Sequence, residues 1–258
     1  MIDTHCHILP MCDDGPDHWM QSLEMARDAV RQGITTVVAT PHHKKHLYFN
    51  GSDKIKKMVE QMNAILASED IPLKVWTGQE YHLNAVYSKG WVKEFPLVLG
   101  NSKYVLVELP SRDTPKFLLA FIQYLKENDI VPIIAHPERH LPFIREPNRM
   151  YDLIESGVRF QLTAPSLVGH YGIEVQQAAW TMARNHWVHL LASDAHDINK
   201  RGFRLREAYW LMEAGLGKEA ASFLKSNAEL LVQGGTIEQG APIVPLKLKR
   251  KRLISIWR

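Results

Sequence analysis

Seven short apolar runs, rich in β-branched residues, recur along the chain with helix-length segments between most of them. They fall at residues 2–7, 35–39, 73–76, 104–107, 131–135, 158–162 and 189–192. Helical patterns fall at 17–32, 52–69, 115–128, 147–156, 174–185 and 204–214, the first with Asp17 as expected N-cap and Gly33 just past its end. Strands and helices alternating at this spacing imply βα units on a parallel sheet. A chain of 258 residues suits one barrel-sized domain. The expectation is therefore an α/β fold, a distorted (β/α) barrel of about seven units over residues 1–245, followed by a tail at 246–258.

Charge supports that division. The net +3 comes from the tail: residues 247–258 hold six basic residues and no acid, leaving 25 basic against 28 acidic residues in the rest. A body of net negative charge argues against a nucleic-acid partner, which would need a basic face. The tail also carries Leu253, Ile254, Ile256 and Trp257. It reads as a solvated end, with weak contact to an anionic membrane as the alternative. No apolar run approaches the ~20 residues of a membrane span, no leader pattern opens the chain, and Cys6 and Cys12 are not a disulfide framework. These features predict a cytoplasmic location.

Histidines and acids gather at the C-terminal ends of the expected strands, the rim that carries active sites in α/β barrels. His5 and His7 end the first, and His42 and His43 follow the second. Glu80 follows the third and Glu108 ends the fourth. His136, Glu138 and Arg139 follow the fifth, and Asp194 and His196 follow the last. Residues i and i+2 of a strand share a face, so His5 and His7 can reach one ion while Cys6 points away. The same holds for Asp194 and His196 if the chain stays extended there. Asp13 and Asp14 lie in a turn from which a carboxylate can fold back over the rim. A lone His-X-His is weak evidence, and His43, His46, His82, His140 and His170 read equally well as solvated or supporting residues. The force lies in the combination, which points to a metal-dependent hydrolase.

With these residues in view, the sequence resembles the polymerase-and-histidinol-phosphatase (PHP) superfamily. Within it, the chain is similar to the bacterial protein-tyrosine phosphatases of capsule and exopolysaccharide systems. The matching segments are 2–10, 13–15, 39–43, 78–80, 107–108, 134–139 and 192–196. The resemblance implies three divalent metal ions, manganese by preference with iron or zinc as alternatives. It would place one ion on His5, His7, Glu80 and Asp194, a second on Glu80, Glu108 and His136, and a third on Asp14, His42 and His196. It implies a catalytic set of Arg139, Arg201, His136 and Glu108, with the two arginines gripping phosphate. The implied partner is a phosphotyrosine-containing protein, the tail of a tyrosine kinase. Pro165, in a segment where relatives carry small residues, would affect substrate fit.

The implied reaction is phosphotyrosine hydrolysis by metal-bound hydroxide, since a bound cation lowers the pKa of water towards ~7. Four carboxylates against three divalent ions leave a positive site, and the arginines add to it. Neither cysteine has an Arg six positions on, so the Cys-X5-Arg loop of thiol-dependent phosphatases is absent. Two alternatives remain open: a small-molecule phosphatase such as histidinol phosphatase, and an inactive scaffold of a polysaccharide assembly system. An amidohydrolase reading fails on the missing lysine after the third or fourth strand.

Overall fold

A computed structural model of the chain describes residues 1–45, 47–83 and 96–245. The expectations for His46 and for the basic tail lie outside the described residues. The strands are β1 (Ile2–Cys6), β2 (Thr36–Ala39), β3 (His42–His43), β4 (Lys74–Thr77), β5 (Glu80–His82), β6 (Tyr104–Glu108), β7 (Val131–Ala135), β8 (Arg159–Thr163) and β9 (Leu190–Ala192). The helices are α1 (Trp19–Arg31), α2 (Ser52–Ser68), α3 (Leu118–Glu127), α4 (Leu141–Arg145), α5 (Asn148–Glu155), α6 (Ala164–Leu167), α7 (Ile173–Arg184), α8 (Leu205–Leu216) and α9 (Lys218–Val232).

Every strand pairing is parallel. The ladder is broken into two sheets, β1-β2-β4 and β3-β5-β6-β7-β8-β9. Two chain paths explain the break. Thr40 and Pro41 separate β2 from β3, and Pro41 has no N–H to donate to a ladder. Gly78 and Gln79 separate β4 from β5; a Cβ on Gly78 would lie 2.7 Å from Val38 Cγ1 and 2.9 Å from Leu99 Cδ2. Each path is thus one strand position bent over the rim, and seven positions run in chain order. A Cys6–Ala195 bridge and the His7 N–H on the Ala195 carbonyl (2.8 Å) bring the last strand beside the first. The fold is the expected α/β arrangement of about seven units, distorted and without a continuous barrel ladder.

β6 is buried along its whole length, as a strand covered on both faces must be. The covering helices present apolar stripes: Met25, Ala26 and Ala29 on α1, and Ile55, Val59, Met62 and Leu66 on α2. Helix α1 is capped by His18, whose ring accepts from the Gln21 N–H, and not by the expected Asp17. Asp17 instead donates its own N–H to the Gln21 side chain. Helix α9 has no counterpart in the sequence reading. Its buried face includes Ala221, Asn227 and Ala228, small or polar residues that blur the apolar stripe. Pro165 sits in the first turn of α6, where its missing N–H costs nothing.

Candidate metal centre

Nine residues from six strand ends converge on one buried cluster. His5 lies in β1 and His7 one residue beyond it; both are fully buried, and Cys6 points into the core. His42 opens β3 and Glu80 opens β5, in register with each other. Glu108 ends β6, His136 follows β7, and Asp194 and His196 follow β9. Asp14 reaches in from the turn after β1. His136 and Asp194 adopt left-handed backbone, φ 36° and 55°, rare for non-glycine residues. At Asp194 this corrects the extended path considered for 194–196. The chain turns, so Asp194 faces His5 and His7 while His196 faces Asp14.

Three overlapping groups result. His5, His7, Glu80 and Asp194 form one; His7, Asp14, His42 and His196 a second; His42, Glu80 and Glu108 a third. Within the first, His5 Nε2, His7 Nε2, Glu80 Oε2 and Asp194 Oδ1 are 3.1 to 3.5 Å apart in every pair measured. A tetrahedron of that edge has its centre ~2.0 Å from each corner, a metal–ligand bond length. Glu80 faces two ways: Oε2 meets His5, His7 and His42, and Oε1 lies 2.9 Å from His136 Nε2.

The histidines carry the test of whether a cation fits. His5 Nδ1–H donates to Gln161 Oε1 (2.7 Å), His7 Nδ1–H to Asp13 Oδ2 (2.7 Å) and His196 Nδ1–H to the Asp194 carbonyl (2.9 Å). Each therefore spends one N–H on a neighbour and turns a lone pair inward, as metal-ligating histidines do. His5 Nε2 and His7 Nε2 face each other across 3.1 Å, and against burial the charges of Glu80 and Asp194 at His5 and of Asp13 at His7 raise both rings, so this point of the cluster favours positive charge. His42 Nδ1 and Glu80 Oε2 face each other at 2.7 Å and His196 Nε2 faces Asp14 Oδ1 at 3.3 Å, all three atoms buried and none in a well-aligned hydrogen bond. Buried polar atoms are almost always paired, so this concentration marks a place built for something positive.

Electrostatics agree. Burial would raise the Glu80 carboxyl, but His42, His5 and His136 hold it well below the carboxylate range. Burial opposes ionisation of Asp194 too, and Arg139 and His5 keep it well below. Glu108 is held at about 2 against burial and the Glu80 charge, by His82 and Lys45. Burial, with His7 beside it, brings His196 down to about 4, so it is a neutral imidazole at neutral pH.

The two arginines stand at the solvent edge. Arg139 donates to Asp194, and Arg201 donates to Asp14 Oδ2 at 2.8 Å. Asp14 has 43% of its side chain exposed, which marks the opening. Several participants escaped the sequence reading. Lys45 donates to Glu108 Oε1 (2.7 Å) and His42 Nε2 (3.0 Å); His82, read as solvated or supporting, takes the supporting place by donating to Glu108 Oε2. Gln161 is a fully buried polar residue within a strand, a signal that was readable. Which of Asp13 and Asp14 faces which histidine was not readable from two adjacent aspartates. His43 and His140 are buried outside the three groups, and His170 is exposed.

Comparison with known proteins places this geometry. Residues 1–233 match the family described as capsular polysaccharide synthesis, CpsB/CapC. The tyrosine-protein phosphatase YwqE of Bacillus subtilis (strain 168) is 37% identical over 257 residues, covering 100% of both chains. The tyrosine-protein phosphatase CpsB of Streptococcus pneumoniae is 29% identical over 232 residues, 87% of this chain and 94% of that one. Among solved structures, one from work on B. subtilis YwqE and S. pneumoniae CpsB superposes with a TM-score of 0.89. It is 38% identical and covers 94% of this chain and 98% of its own. Those proteins are described as unique metal-dependent tyrosine phosphatases. The lactonase Lmo2620 from Listeria monocytogenes, 12% identical with a TM-score of 0.53, shares the fold alone.

Proposed function

This chain belongs to the capsular polysaccharide synthesis CpsB/CapC family, and from that premise we propose that it is a metal-dependent protein-tyrosine phosphatase. The observation that carries the reading is the convergence of ring nitrogens and buried carboxylate oxygens on one cluster beside two arginines. His5, His7, Glu80 and Asp194 would hold one ion; Glu80, Glu108 and His136 a second; Asp14, His42 and His196 a third. Histidine and carboxylate donors suit manganese, iron or zinc, and manganese is our assignment. When bound, such ions supply activated water and neutralise phosphate charge.

The remaining work falls to side chains. Arg139 and Arg201, 24% and 30% exposed, can meet an incoming phosphate without leaving the cluster. A planar guanidinium offers paired donors to phosphate oxygens. Asp13 and Gln161 fix the rings of His7 and His5. The phenol of phosphotyrosine, with a pKa of ~10, is a better leaving group than a serine-type alcohol, so the site needs little help from a general acid. In this reading the substrate is the phosphorylated tail of a tyrosine kinase in a polysaccharide assembly system, met in the cytoplasm. Among the described residues no helix is long and apolar enough to cross a membrane.

Turnover of a phosphotyrosyl peptide and of histidinol phosphate by manganese-loaded protein tests the reading. The peptide should be the better substrate by kcat/KM. A preference for histidinol phosphate would overturn the substrate class, and no turnover of either would overturn the enzyme.

A further inference from the structure

Arg139 presents a problem of control. In the arrangement described, its guanidinium binds Asp194, and Arg201 binds Asp14. Both carboxylates are ligand candidates in the reading above. A carboxylate shared with divalent ions is a weaker anchor for a neighbouring cation. Something else must then keep two long, flexible side chains aimed at the phosphate.

Tyr171 lies where such an anchor is needed. The Arg139 guanidinium carbon sits 5.2 Å from the centre of its ring, within cation–π range. The Tyr171 hydroxyl is buried and makes no hydrogen bond that would pull the ring away from this contact. The aromatic ring therefore holds Arg139 through a contact that uses no carboxylate.

The backbone holds Tyr171 there firmly. It is flanked by Gly169 and Gly172, at φ 84° and 90°, so the turn that presents it uses conformations other residues resist. The His170 N–H closes onto the Pro165 carbonyl (2.9 Å), and the Gln176 side chain donates to the Leu167 carbonyl (2.9 Å). Glu138, the residue before Arg139, ties this segment to the arginine's own turn. Its buried Oε1 accepts from Ser166 Oγ (2.6 Å) and the Thr163 N–H (3.2 Å). The arginine and its platform are thus clamped to each other by adjacent residues.

We propose that Tyr171 is a positioning residue, whose ring face keeps Arg139 aimed at the substrate phosphate. This rests on the phosphatase reading. It adds a specificity element outside the ligand set, and it gives the buried Glu138 a task, joining the Tyr171 segment to the turn of Arg139.

The test uses full-length, manganese-loaded protein, a phosphotyrosyl peptide as substrate and inorganic phosphate as competitive inhibitor. Tyr171→Phe keeps the ring face and should stay within about twofold of wild type in KM and in inhibition by phosphate. Tyr171→Leu removes the face. It should raise KM and weaken phosphate inhibition by about tenfold, the order of a partly desolvated cation–π contact. Bound metal should not change, and kcat should change less than KM. Adding Tyr171→Leu to Arg139→Ala should cost little beyond Arg139→Ala alone, because the platform then has nothing to hold.

Additive losses, lost metal with unchanged KM, or a Phe variant as impaired as the Leu variant would each overturn the proposal. If Tyr171→Leu does not accumulate as folded protein, Tyr171→Gln is read in the same way. The two readings fail differently. Arg139→Ala without effect on phosphate binding defeats the arginine grip itself. A strong Arg139→Ala effect beside a wild-type Tyr171→Leu defeats only the role of Tyr171.

Discussion

At the scale of single residues, the centre depends on side chains that are costly to bury unless something positive joins them. His136 lies 2.9 Å from Glu80 and 3.9 Å from Glu108, beside the group that His42 forms with those two carboxylates. His136→Ala should abolish turnover and lower bound metal while the far-ultraviolet circular dichroism stays native. Unchanged turnover would remove His136 from the site. A second residue prediction lies away from the metals. His189 is fully buried, accepts from the Phe160 N–H, and burial with nearby Arg159 brings it down to about 3. An imidazole lowered in the folded state takes its proton first in the unfolded chain. The stability it supports is therefore complete above about pH 6.5 and falls with acidification by up to about 1.4 kcal/mol per pH unit, levelling off near pH 3. His189→Gln keeps an acceptor but cannot ionise. Urea unfolding should show the variant losing about 1–2 kcal/mol less than wild type between pH 6.5 and 5, and equal losses would refute the assignment.

At the scale of elements, the bends between β2 and β3 and between β4 and β5 bring His42 and Glu80 over the rim in register. Gly78 permits the second bend because Val38, Leu99 and the Ala39 carbonyl leave no room for a Cβ. Gly78→Ala should destabilise by about 1–3 kcal/mol, the usual range for overpacking, and should weaken metal binding because Glu80 is two residues on. Thermal unfolding with metal analysis checks both, and a variant of wild-type stability would mean the bend does not need glycine. Much of this level was legible in advance. Apolar runs marked the strands, and His or acidic residues at their ends marked the rim. The breaks at Pro41 and Gly78 were written in the sequence, but whether a strand stops or bends depends on its neighbours. Helix α9 was not legible because Ala221 and Ala228 give its buried face little apolar contrast. Lys45 and Tyr171 were not legible because a loop lysine and a loop tyrosine carry no periodic signal, and only the fold brings them to Glu108 and Arg139.

At the scale of the whole molecule, the metal centre and the fold should be thermodynamically linked. The ligands come from strand ends spread between His5 and His196, so a bound ion ties distant parts of the chain together. Ligands that bind only the folded state stabilise it by about 2.7 kcal/mol per site at a hundredfold excess over Kd. Without ions, crowded carboxylates oppose one another's ionisation. Chelator-stripped protein should melt at a lower temperature than manganese-loaded protein, with a midpoint that rises with manganese concentration. Identical melting curves would separate the metals from the fold.

The central claim is that these strand ends form a multi-ion phosphatase site. Its most direct test titrates manganese into stripped protein, following hydrolysis of a phosphotyrosyl peptide and counting bound ions per chain. The account predicts negligible turnover in the stripped protein, restored as more than one ion binds. Full turnover without metal, or two or more bound ions with no turnover, would contradict it.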